Sequence, residues 1–492
     1  MAYRSLADFL EALAQQNQLA HVVAEVEADL EIAEITRRAS RCGGPALLFN
    51  RIRGQSLAVV TNLLGTEARL CLALGIDSIS ELSGRLENVF ARSASPSWLD
   101  RLKTSGEPVA SEKFRPRFIK SAPCQQVVRL GRDVDLAALP LLKCWPDESA
   151  RSITAAQVTS SDVEARERAV SLAHLQAVDR QRLAIADDLQ GNLGRHWAGF
   201  QARGEKMPLA VVLGCDPAHL LSATLPAPPE IDGYLLAGAL RGMPVDVTKC
   251  RMHALEVPAE ADVVLEGYVD PLSERATVAA GGWNTGHYRP PQPALVMEVA
   301  AVTQRTNPAI PLIVPSTAGG EASVLLKARE RLLLPLVKGA IPELVDYSLA
   351  GWGGDERWAI VSVRKTYPGQ ARKVASAVWG LAALQFSKFV IVVGETVDVH
   401  SAPSVLAAIG ANVHPGRDVF FQHGPGRIFD HSSPTPGLGQ SLGIDATAKL
   451  PAEHQRPWPA ELAASPEIAE LVSKRWSEYG LGDGGSEMEN RD

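Results

Sequence analysis

The chain has 492 residues, 46% of them hydrophobic and 21% charged, with a formal net charge of -7. At roughly 100–200 residues per domain this is enough chain for several packed cores, and the balance excludes a disordered or collagen-like polymer. Lys and Arg are scattered rather than clustered, so no phosphate-neutralising face is built and nucleic acid is excluded as the expected partner.

In chain order, the opening segment is broken by Asp8, Glu11, Gln15 and Gln16 and lacks the apolar core of a secretory leader. No later run reaches the ~18 apolar residues of a membrane span, so a cytoplasmic protein without a span is expected. Leu6, Phe9, Leu10 and Leu13 recur at helical spacing behind Ser5, a capping residue, and predict an amphipathic first helix. Apolar runs at 46–52 and 56–64 around Arg53-Gly54-Gln55 predict a hairpin, followed by helical sequence to Phe90. Polar segments at 93–97 and 104–122 read as connections.

From there to Ser316 short strands are spaced by turns, the clearest at 208–214, 261–269 and 295–305, with a small apolar helix at 234–240. This predicts an antiparallel barrel with helical insertions. From Glu321 the pattern becomes helix 321–337, strand 358–365, helix 370–384 and strand 388–399. Continuous Val/Ile runs between helices predict a parallel or mixed sheet covered on both faces. Ser465 and Pro466 open a last helix carrying Ile468, Leu471 and Val472, which ends near Gly480 and suits docking on a second subunit. The expected class is α/β (α+β), with an N-terminal α/β domain and connection at 1–122 and a split β-barrel at 123–318. A C-terminal α/β domain follows at 319–460, then a terminal helix and polar tail at 461–492.

Generic motifs add little. Gly437, Gly439 and Gly443 imitate a dinucleotide loop, but the last glycine is misplaced and no apolar strand leads in, so a surface turn is expected. There is no Walker A loop, HExxH pair or GxSxG elbow. Cys42, Cys71, Cys124, Cys144, Cys215 and Cys250 form no CxxC pair and no zinc-type Cys/His spacing, and read as reduced small hydrophobes. His174, His196, His253 and His287 share no short helical spacing, so each reads as a polar surface or core-edge residue.

Several segments carry a family signal: 6–13 with 43–49, 139–145, MPLAVVLGCD at 207–216, LAGALRG at 236–242, and then 255–270, 365–380 and 388–400. In this order and spacing the chain resembles the UbiD family of prenylated-FMN-dependent (de)carboxylases. The resemblance implies a small N-terminal unit, a central FMN-binding split β-barrel and a C-terminal α/β domain across a cleft. It also implies reversible, non-oxidative (de)carboxylation of an aromatic or α,β-unsaturated acid, with the modified flavin accepting the developing carbanion. The family anchors the flavin phosphate through a divalent metal, usually Mn, held by Asn, His and Glu with a monovalent cation nearby. It sets a catalytic Arg between two acids.

Carried over by position, the metal ligands fall on Val170, Gln190 and Gly233, the Arg on Leu175, and the two acids on Val278 and Trp283. Of the three ligand positions only Gln190 offers an oxygen, so no family metal set is expected. Candidate substitutes are His174 and His287, with Arg180, Asp187, Asp188, Arg195, His196, Glu230 and Asp232 close in sequence to the altered positions. Lys388 is the candidate contact for a flavin phosphate, and Thr224 and Pro226 the candidate contacts for the flavin itself. Two readings follow: a carboxy-lyase scaffold with an altered site, or a non-catalytic subunit supporting a UbiD-type paralogue in a hetero-oligomer. A third possibility is an enzyme using the cleft without prenylated FMN. The expected substrate is a small carboxylic acid, and a homo-oligomer is expected.

Overall fold

A computed structural model of the chain describes residues 3–87, 89–90, 112–186, 189, 191–282, 286–315, 319–349, 357–460, 462 and 464–480. The first helix, Leu6–Gln15, is held by a capping box: Ser5 accepts from the Asp8 amide, and the Asp8 carboxylate accepts from the Ser5 amide. Its apolar stripe buries Leu6, Phe9 and Leu13. The predicted hairpin forms from Ala46–Phe49 and Ala58–Thr61, paired antiparallel. Leu19–Val22 adds a parallel strand on one side and Ala309–Leu312 another on the far side. That last strand lies hundreds of residues downstream, so the N-terminal sheet is completed by chain that has already passed through the barrel.

The barrel is a closed ring of Val263–Val269, Met207–Leu213, Ser152–Ser161, Arg168–Ala177, Arg182–Ile185 and Gln292–Gln304, the last pairing back to the first. Every neighbouring pair is antiparallel. Closure leaves no exposed ladder edge, and Ile153, Leu175, Leu183, Leu209, Val211, Leu265 and Met297 fill the apolar interior. The Gly233–Arg241 helix and its neighbour Pro217–Ala223 pack on the outside of the ring.

In the C-terminal unit the sheet order is Leu344–Ser348, Trp358–Val363, Phe389–Gly394, Leu438–Asp445 and Val419–Pro425, a mixed sheet with apolar clusters on both faces. Two expectations are corrected here. The 388–399 strand stops at Gly394, where the Val397 amide turns back onto the Gly394 carbonyl. Of the 437–443 glycines only Gly437 lies in a turn, with φ +76; from Leu438 the segment is a strand, paired on both sides from Leu442. Gly443 is what permits it, because a Cβ there would lie 2.3 Å from the Phe420 ring. The terminal helix spans Pro466–Lys474, with Ile468 52% and Leu471 46% exposed. Among the described residues no helix is long and apolar enough to cross a membrane.

Candidate functional site

The Arg168–Ala177 strand organises the cleft side of the barrel. Strand alternation places Val170, His174 and Gln176 on one face and Leu175 on the other, and Leu175 accordingly joins the barrel filling. On the outward face Val170 meets the first residue of the Gly233–Arg241 helix, whose N-cap is Asp232. The contact is so close that a Cβ on Gly233 would sit 2.7 Å from Val170 Cγ2 and 3.0 Å from its amide nitrogen. Val170, Ala223, Tyr234, Ala237, Val245 and Val247 form one apolar cluster around it. At these two positions there is no side-chain donor atom and no space for an ion, so the divalent metal implied by the resemblance does not fit. Val278, 4% exposed, packs on Ala184, Ala186 and Ala294. Trp283, Gln190, Asp187 and Asp188 lie outside the described residues.

Beside this contact the charged groups form a network. Arg168 binds Asp232 through Nε (3.1 Å to Oδ2) and Glu256 through Nη1 (2.7 Å), with its guanidinium 4.5 Å from the Tyr234 ring centroid. The Tyr234 hydroxyl lies 2.8 Å from Thr159 and donates to the Glu256 carbonyl. A cleft of about 550 Å³ opens here, lined by Asp162, Glu167, Arg168, Glu230 and Asp232 among others. Glu230 and Asp232 therefore reach a cavity. His196 is buried against Ser160 (2.9 Å), Arg195 pairs with Glu167 (2.6 Å), and Arg180 pairs with Asp135 on the surface.

His174 is 1% exposed, and neither ring nitrogen has a hydrogen-bond partner. Burial, with a lesser contribution from Arg289, holds it neutral at about 3. Two unpartnered buried polar atoms destabilise the fold, so His174→Leu should stabilise the protein by about 1 kcal/mol at neutral pH. The folded-state value lies below the unfolded value of 6.5, so below pH 6.5 the unfolded chain takes up a proton that the folded chain refuses. The advantage of His174→Leu should therefore grow by about 1.4 kcal/mol per pH unit, adding about 2 kcal/mol at pH 5. Urea unfolding at both pH values checks this, and a constant difference would contradict it. The comparison needs the variant, because Asp262 and Glu321, raised by burial to about 8 and about 7, stabilise the fold as pH falls and mask the wild-type slope.

His287 stacks near His431 (4.5 Å between centroids), and the neighbouring Arg289 lies 4.7 Å from the Phe429 ring centroid while donating to the Ala186 carbonyl. This loop thus ties the barrel to the C-terminal unit. Thr224 and Pro226 follow the Pro217–Ala223 helix, and the Thr224 hydroxyl donates to the Leu221 carbonyl. Lys388 sits elsewhere, donating to Asp430 (3.0 Å) and Ser432 in a cavity of about 230 Å³ lined by residues from 357 to 441. The described contacts do not bring Lys388 together with Thr224 or Pro226.

Two features escaped the sequence reading. Glu148, 2% exposed, accepts from the amides of Cys144 (2.7 Å), Trp145 (3.2 Å) and, across the fold, Gly281 (3.0 Å). It pins the segment to which the resemblance carries the catalytic acids, and burial raises its carboxyl above the ordinary range. An acid directly after the Trp145-Pro-Asp turn was the available signal. The second feature is a cluster: ligand atoms of Cys250, His253 and Glu266 lie within 4.8 Å of one another. The local part of that signal is a Cys-x-x-His spacing, whereas Glu266 comes from a different strand.

Three family models match in chain order. The 3-octaprenyl-4-hydroxybenzoate carboxy-lyase N-terminal domain covers residues 10–86, the Rift-related domain 117–318 and the C-terminal domain 323–446. The chain belongs to the UbiD family. An uncharacterised protein of Aquifex aeolicus is 34% identical over 97% of this chain and 99% of its own length. Among solved UbiD-type structures, the closed form of Sedimentibacter hydroxybenzoicus vanillic acid decarboxylase superposes with a TM-score of 0.87. It is 28% identical and covers 98% of this chain and 100% of its own. The open form of that enzyme gives 0.75 at 28% identity. The UbiD-class enzyme HmfF of Pelotomaculum thermopropionicum, in complex with FMN, gives 0.76 at 27% identity over 95% of this chain and 98% of its own. The resemblance read from the sequence is borne out for the family, for the barrel and for the mixed α/β architecture.

Proposed function

We propose that this UbiD-family protein serves the reversible, non-oxidative (de)carboxylation of an aromatic or α,β-unsaturated carboxylic acid, through a site that departs from the family pattern. The reaction class is supported by the full-length likeness to vanillic acid decarboxylase in its closed form. The departure rests on one observation, the Val170–Gly233 contact. A hard ion bridging a phosphate requires several oxygen or nitrogen ligands, and methyl groups supply none. No step is therefore assigned to a metal-anchored flavin. His174 is 1% exposed, and a group that titrates at about 3 is a poor proton carrier at neutral pH, so no proton step falls to it. Self-association through the exposed Ile468 and Leu471 and a cytoplasmic location belong to the same reading.

The same contact favours a second reading, a UbiD-like subunit that supports a competent paralogue and holds no prenylated FMN of its own. One preparation tests both. The chain is co-expressed with a flavin prenyltransferase and purified without oxygen, and its absorbance and Mn content are recorded. The expected result is no stoichiometric Mn accompanying modified flavin; stoichiometric Mn with modified flavin would restore an ordinary UbiD site and overturn the proposed departure. CO2 release from a panel of aromatic and unsaturated acids, by the chain alone and mixed with an intact UbiD-type paralogue, separates the two readings.

A further inference from the structure

On the outer face of the barrel, the loop between Asp246–Lys249 and Glu256–Pro258, whose Leu255 and Glu256 border the cleft beside Arg168, folds over the Val263–Val269 strand. It is closed by the Cys250 amide on the Leu255 carbonyl (2.9 Å), and the Tyr268 hydroxyl donates to the Met252 carbonyl (2.7 Å). The Val263–Val269 strand slips register against Gln292–Gln304 between Glu266 and Gly267, an irregularity of the kind that re-aims a side chain. Beneath the loop, Cys250 Sγ, a ring nitrogen of His253 and a carboxylate oxygen of Glu266 lie within 4.8 Å of one another.

The hydrogen bonds of these groups are incomplete in a directed way. Glu266 is fully buried; its Oε2 accepts from the amides of Arg251 (2.7 Å) and Met252 (2.8 Å), while Oε1 has no partner. Among the described residues no Lys or Arg forms an ion pair with it. A buried carboxylate in that state is destabilising unless a cation or a proton joins it. His253 Nε2 lies 2.9 Å from the Leu209 carbonyl, which can only accept, so Nε2 carries the proton. Nδ1 then holds a lone pair, and it is buried without a partner. An imidazole oriented by a backbone carbonyl, with its other nitrogen free, is the usual setting of a metal-ligating histidine.

We propose that Cys250, His253 and Glu266 form a structural zinc site that pins the 250–255 loop to the barrel. Thiolate, imidazole and carboxylate together suit Zn2+ rather than Mg2+ or Ca2+, and the ligand atoms, all within 4.8 Å of one another, need close only a little to reach the spacing around a tetrahedral ion. A fourth position is left to water or to Cys124, which belongs to the same buried cluster as Cys250. Burial keeps the Cys250 thiol protonated without the ion, so binding Zn2+ forms an S–Zn bond and releases that proton to solvent.

The test uses the full chain made without a prenyltransferase, so the outcome is independent of the proposed function. Zinc is measured by mass spectrometry, and Co2+ is exchanged in to read thiolate-to-cobalt charge-transfer absorption. Stoichiometric zinc, the cobalt band, and loss of both in Cys250→Ser but not in the buried control Cys71→Ser support the site. A wild-type chain that shows no cobalt band overturns it, even if Cys250→Ser fails to fold. So does a folded Cys250→Ser that keeps its zinc.

Discussion

Glu148→Ala is expected to cost about 4 kcal/mol of unfolding free energy and to free the 278–282 segment. The side chain is 2% exposed and accepts three backbone amides, two from its own turn and one from Gly281. Deleting it leaves three N–H groups buried without acceptors, each costing on the order of 1–3 kcal/mol, with partial relief as water enters the hole. Glu148→Gln keeps the shape but turns an NH2 group toward N–H donors, so it should cost about 2 kcal/mol. Denaturant unfolding gives both numbers, and amide exchange at Gly281 shows whether the loop is released. A loss below about 1 kcal/mol in Glu148→Ala would mean that other contacts hold this segment. Trp145 would be the first suspect, since its ring lies 2.7 Å from where a Gly281 Cβ would stand.

Gly233→Ala is expected to cost about 3 kcal/mol, although alanine is the better helix former. The new Cβ would meet Val170 Cγ2 at 2.7 Å, Cβ at 2.9 Å and the backbone nitrogen at 3.0 Å, and the last of these belongs to a barrel strand that cannot yield cheaply. Val170→Ala in the same chain removes the Cγ2 collision but not the other two. It should therefore return part of the loss, giving a favourable coupling of about 1 kcal/mol in a double-mutant cycle. The functional consequence is direct. If Gly233→Ala were neutral, the site would have room for a longer side chain and the argument against the family metal would fail.

Much of this fold is local. The Ser5 and Ser465 caps, the 3.6-residue periodicity of Leu6, Phe9 and Leu13, and the Val/Ile runs read at 358–365 and 388–399 each act within a few residues and were legible as elements, though not to their ends. The family, too, was carried by short ordered segments. The positions that bear on chemistry were legible only as substitutions: that Val170, Leu175 and Gly233 lack donor groups follows from their identity alone.

What the substitutions do to the site was decided by tertiary structure, because it depends on groups brought together by packing rather than by chain proximity. Sequence placed Val170 and Gly233 apart, and only the helix seated against the barrel strand shows one filling the space beside the other. Gly443 looked like a turn residue until Phe420 closed over it from the neighbouring strand. Glu266 carried no local mark, and the turn before Glu148 did not disclose its role, since a carboxylate's role is set by whether its oxygens meet amides, cations or nothing once water is excluded. Sequence by itself determined the family and most of the elements. The fold alone decided which buried polar atoms are satisfied at His174, Glu148 and the Cys250–His253–Glu266 cluster, because those free energies arise only when distant segments desolvate one another.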